Sequence, residues 1–71
     1  MKEYAVIFEK GPNGWGAYAP DLPGLAAAGE TFEEVEQLIR DGIIFHIQCL
    51  RETGNVVPEP TTRVAVMSAA A

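Results

Sequence analysis

Two prolines and one threonine divide this chain into an extended half and a helical half. Pro20 and Pro23 fix φ near the extended region, and each turns the residue before it away from helix, so residues 19–24 form a stiff, shaped connection. Thr31 and Glu34 then have the spacing of a capping box, in which the threonine hydroxyl accepts from the Glu34 amide and the Glu34 carboxylate reaches back to the Thr31 amide. A helix therefore begins at Phe32. From there to about Thr53 the apolar residues recur with helical period, and Val35, Leu38, Ile39, Gly42, Ile43, His46, Cys49 and Leu50 share one broad face. Arg51, Gly54, Pro58 and Pro60 are the stop signals.

Ahead of the prolines the period is two. Tyr4, Val6 and Phe8 alternate with Ala5, Ile7 and Glu9, which predicts a strand covered in part on both faces. Gly11-Pro12-Asn13-Gly14 is a turn signal, so residues 15–19 are expected to return antiparallel as a hairpin, with Trp15 and Tyr18 favouring the strand and Gly14 and Gly16 weakening it. Residues 25–30 are ambiguous: their alanines favour helix, yet Gly24 and Gly29 bracket them and a capped helix follows at once. Residues 63–67 read as a last strand, and residues 68–71 as a tail that frays.

With 71 residues, the chain folded alone would bury only about 60% of its unfolded surface, so its margin is thin and a second copy or partner is expected. A hydrophobic content of 48% excludes a disordered segment, and a formal charge of −5 argues against nucleic acid as the direct ligand and for a basic partner. Met1-Lys2-Glu3 leads straight into the strand pattern without a leader-like apolar stretch. The strongest apolar run, Ile43-Ile44-Phe45, is far short of the ~20 residues that span a bilayer, so a cytoplasmic protein without membrane contact is expected. Cys49, the one cysteine, reads as a small core hydrophobe.

The strand at Tyr4-Ala5-Val6-Ile7-Phe8, the aromatic strand after Gly14, the Pro20-Asp21-Leu22-Pro23-Gly24 loop, Gly29-Glu30-Thr31, Glu33-Glu34 and the trailer from Arg51-Glu52-Thr53-Gly54 to Pro58 carry a resemblance. Together they resemble the HicB-like antitoxins, small proteins that neutralise an RNA-cleaving toxin. The run Ala26-Ala27-Ala28, where larger β-formers are expected, departs from the pattern. The resemblance implies a third strand at residues 25–30. It makes the whole an α+β domain over residues 1–71, ordered from about 3 to 67, with β-β-β-α-β order. The helix is the crossover that returns the chain beside strand one, giving a four-stranded mixed sheet of order 3-2-1-4, a truncated ribonuclease-H-like fold. It implies a non-catalytic protein that binds a small basic toxin of the HicA type. Members often carry a DNA-binding domain after this one, and no such pattern fits before Ala71, so direct DNA binding by this chain is not expected.

Four residues are the expected contacts for the toxin: Trp15, Tyr18 and Leu22 as apolar anchors, and Asp21 as the acidic group, whose competing role is to cap the Leu22 or Gly24 amides of its own loop. A helix of roughly 22 residues, about 33 Å long, outruns strands of ~17–20 Å, and it carries Ile44, Phe45 and Ile47 outside the buried face. These three are the expected surface for a homodimer or higher homo-oligomer. Gly42 suggests close approach of a ring, from Trp15 or Tyr18. Two rival readings are a metal-dependent nuclease using Glu9, Asp21 and a helix carboxylate, and a small-ligand oligomer with a pocket between Trp15, Tyr18 and the helix. The nuclease lacks a carboxylate at Val6-Ile7, the centre of strand one, and His46, the lone histidine, has no partner for a metal. No cofactor, metal site or catalytic residue is expected.

Overall fold

A computed structural model describes residues 2–71; Met1, the first residue of the Met1-Lys2-Glu3 stretch considered above, lies outside them. Three strands, β1 (Ile7–Gly11), β2 (Gly14–Tyr18) and β3 (Ala26–Gly29), precede a single helix, α1 (Phe32–Glu52). Both strand pairings are antiparallel and the sheet order is β1-β2-β3.

The hairpin closes at Gly11↔Gly14, so its two-residue loop is Pro12-Asn13 and β1 runs on to Gly11, later than its expected place at Tyr4 to Phe8. The cause lies in β2. Tyr18 is the last ladder residue opposite Ile7, and beyond it Pro20 has no amide to donate, so residues 4–6 have no strand to pair with. At Gly14 the backbones of β2 and β3 come so close that a Cβ would run into the Gly29 carbonyl oxygen. This glycine permits the close approach of β2 and β3 at the hairpin end rather than merely weakening the strand.

Alternation along the ladders sets two faces. Phe8, Trp15, Ala17 and Ala27 point to the helix, while Ile7, Glu9, Gly16, Tyr18, Ala26 and Ala28 form the opposite face, which α1 does not cover. The helix lies over β2 and β3. Ala17, Val35 and Ile39 make the buried centre, with Val6, Phe8, Trp15, Leu25, Ala27 and Ile43 packed around it. Phe32 packs against both Phe8, at a tilt, and Trp15, edge to face, with ring centroids 4.6 and 5.3 Å away. Ala27, the one β3 alanine on the helix side, is thus a fitting small residue for a helix lying close to the sheet.

Both helix ends follow from their residues. Thr31 Oγ1 accepts from the Glu34 amide at 3.1 Å, as the spacing predicts, but the Glu34 carboxylate takes the Glu30 amide at 2.9 Å instead of that of Thr31. At the far end Gly54, at φ 74°, lets its own amide donate to Arg51 O and the Asn55 amide to Leu50 O, a Schellman closure. Gly42 meets the Leu25 methyl, 3.0 Å from where a Cβ would stand, and not an aromatic ring.

The fourth strand does not form. Residues 63–67 take part in no ladder, so the sheet has three strands, wholly antiparallel, and the parallel strand of the expected 3-2-1-4 order is absent among the described residues. Three tethers explain it. Tyr4 Oη donates to Pro58 O at 2.6 Å, Lys2 pairs with Glu59 at 2.6 Å, and Asp21 holds Thr61 and Thr62, so the returning chain crosses the end of the sheet instead of turning up alongside β1.

Candidate functional site

The loop between β2 and β3 is built by two successive turns, with the Leu22 amide donating to Ala19 O at 3.0 Å and the Leu25 amide to Leu22 O at 3.2 Å. Pro20 and Pro23 stiffen it, and Gly24, at φ 87°, supplies the left-handed residue that returns the chain into β3. These turns drive Leu22 inward, where it is fully buried, and leave Asp21 on the rim.

Asp21 is the most heavily bonded side chain of the loop. Its Oδ2 accepts from the Thr61 and Thr62 amides at 2.9 and 2.8 Å, and its Oδ1 from the Thr62 and Thr61 hydroxyls at 2.8 and 3.2 Å. The local caps expected for it, at Leu22 and Gly24, are not made; the carboxylate fastens the C-terminal segment to the loop instead. The Thr62 amide and hydroxyl hold the Asp21 carboxyl below its ordinary value of 3.8 against an opposing push from desolvation, with the Thr61 hydroxyl and amide adding the smallest contributions. A group lowered in this way adds stability that is present above its unfolded value and is lost as pH falls through its folded one. Exchange protection of the Thr61 and Thr62 amides is therefore expected to hold around neutrality and to vanish as pH is taken below 3.8. In Asp21→Asn the protection should already be weak at neutral pH. Equal protection in the variant would show that the threonines are held by something other than this carboxylate.

The four expected contact residues do not form one surface. Trp15 and Tyr18, three apart on a strand, face opposite sides: Trp15 is half-buried against Phe32 and Tyr18 is 43% exposed on the helix-free face. A ligand pocket between both rings and the helix is thereby ruled out. Leu22 belongs to the interior, and Asp21 is half-buried. On the helix, Ile44 and Phe45 are exposed and Ile47 is half-buried, with Ile44 and Ile47 on the flank nearer Lys2 and Phe45 with Leu38 on another. Among the described residues no group of three or more His, Cys, Asp or Glu is placed to hold a metal ion, and Glu9 stands exposed in β1. The threonine clamp escaped sequence reading because its partners are 40 and 41 residues apart. The doublet Thr61-Thr62 after a proline was the only trace of it.

A family model described as the HicB-like antitoxin of bacterial toxin-antitoxin systems matches residues 4–71. The chain is 30% identical over 60 residues to the protein named Antitoxin HicB 2 of Photorhabdus laumondii, an alignment covering 84% of this chain and 43% of that one. It is 32% identical over 56 residues to an uncharacterised 14.9 kDa protein from the rep-hol intergenic region of Haemophilus phage HP1, covering 79% and 42%. The chain spans less than half the length of these relatives. No helix among the described residues is long and apolar enough to cross a membrane. A match over nearly its whole length, joined to three antiparallel strands and one capped helix, makes the chain a member of the HicB-like antitoxin family.

Proposed function

We propose that this chain is the toxin-neutralising part of an antitoxin: a non-catalytic protein that binds a small, basic, RNA-cleaving toxin of the HicA type in the cytoplasm. Family membership over residues 4–71 carries the reading. Its charge of −5 supports it, since an acidic surface speeds encounter with a basic partner and disfavours direct contact with nucleic acid. Docking is assigned to the helix-free sheet face. There Tyr18 offers an aromatic anchor beside Ile7, Ala26 and Ala28, and the Asp21 loop stands at the rim. Leu22 supports that loop from beneath, and Trp15 supports the strand from the helix side.

A HicA-type toxin from the same cells should be bound, and its RNA cleavage stopped, by the purified chain. Failure of neutralisation by the folded protein would sink the reading. Within it, Tyr18→Ala should weaken the complex by about 10- to 100-fold, the size of an aromatic anchor's loss, while leaving thermal stability nearly unchanged because the ring is exposed. Wild-type association should also slow as salt is raised. An unchanged affinity in Tyr18→Ala would move the docking site elsewhere without touching the antitoxin assignment.

A further inference from the structure

Residues 63–67, Arg-Val-Ala-Val-Met, have the composition of a strand but no ladder partner. Val64, Val66 and Met67 are 56%, 97% and 85% exposed. The segment projects: the radius of gyration is 13.8 Å against about 11 Å for a compact chain of this length, and the longest extent is 48 Å. Meanwhile β1 is an edge strand with its outer side unpaired, and α1 lies over β2 and β3, which leaves a groove between β1 and the helix. Tyr4 and Val6, just ahead of β1, and Phe8 line it on one side, and Glu36, Ile39, Arg40 and Ile43 on the other, around about 210 Å³. Through Ile43 it adjoins a second groove that includes Ile44 and Ile47.

We propose that residues 63–67 form an arm that pairs with the open edge of β1 in a second copy of this chain, seating Val64 and Val66 in the groove between β1 and α1. An occupant of that edge must bring an extended backbone with free donors and apolar side chains at every second position. The arm has both. Within one chain the arm leaves the open edge of β1 unpaired, with Val66 97% exposed, while the Asp21 clamp on Thr61 and Thr62 holds the root of the arm at the β2–β3 loop. The same clamp holds the arm ready, lowering the entropy lost on pairing. A flexible tether would be rich in glycine and serine, whereas this stretch alternates β-branched residues. Reciprocal exchange about a two-fold axis closes both edges at once and hides the exposed valines twice over.

The test uses the 71-residue chain without any toxin, so its outcome is independent of the antitoxin reading. Sedimentation at micromolar concentration should show a dimer. Val64→Asp with Val66→Asp, and separately Ala65→Pro, which disrupts the ladder, should each weaken dimerisation by at least about tenfold while helical circular dichroism stays unchanged. Amides of β1 and the arm should gain exchange protection with concentration in the wild type and lose it in both variants. A monomeric wild type overturns the proposal. So does a dimer that survives both variants, or protection of β1 that is independent of concentration, which would place the arm on its own strand.

Discussion

Leu22→Ala is expected to destabilise the chain by about 3 kcal/mol, within the range for a leucine removed from a packed interior. Leu22 is fully buried, and the two turns that flank it aim it beneath the loop, where the stiff prolines on either side leave little room for collapse into the cavity. Domains of this size have a total stability of roughly 4 to 10 kcal/mol, so one side chain would remove a third or more of it. The midpoint of thermal unfolding should fall by roughly 12 to 24 °C. This loss also settles how a toxin-binding defect in the variant is to be read. If Leu22 were an exposed contact, its removal would weaken the complex and spare the melting point. A melting point within a degree or two of wild type would therefore contradict the buried position.

The contrast between Leu22 and Tyr18 shows where sequence reading reaches its limit. The loop's stiffness, the Thr31 cap, the helix span and the glycine stop are local effects, set by residues within a few positions of each other, and each is found at or next to its expected place. Strand β3 was legible only through family resemblance, because three alanines carry no β-preference of their own; what selects the strand is the ladder with β2, which puts the small Ala27 under the helix. Burial of Leu22 depends on the direction in which two turns point a side chain, which the loop's composition does not encode. The role of Asp21 depends on a meeting with Thr61 and Thr62 across the whole helix. The arm shows a third kind of limit. Its alternation reads as a strand, yet residues 63–67 join no ladder: a strand needs a partner, and the tethers at Pro58, Glu59 and Thr61 direct the chain away from the one within the same molecule.

Gly14→Ala should be the most damaging single-methyl change in the molecule, costing about 3 kcal/mol or more. The added Cβ would stand on the Gly29 carbonyl and 3.2 Å from the Glu30 Cα, and both are backbone atoms that cannot rotate away as a side-chain tip would. To make room, β3 must withdraw from β2 at the Trp15↔Gly29 pair, and that pair is the one from which the chain enters the Thr31 cap. Strand separation there would disturb the Glu34 bond to the Glu30 amide and loosen Phe32 from Trp15, so the sheet and the first turn of α1 should weaken together. Gly42→Ala is the informative control. It adds the same methyl inside the helix, where the neighbour at 3.0 Å is the end of the Leu25 side chain, and the gain of about 1 kcal/mol in helix propensity offsets what Leu25 gives up in moving. Denaturant unfolding of the two variants should thus differ by several kcal/mol for one identical added methyl. If Gly14→Ala unfolds at the same denaturant concentration as Gly42→Ala, the close approach of β2 and β3 is not what positions the helix, and the tyrosine-bearing face of the sheet must owe its shape to the proline loop alone.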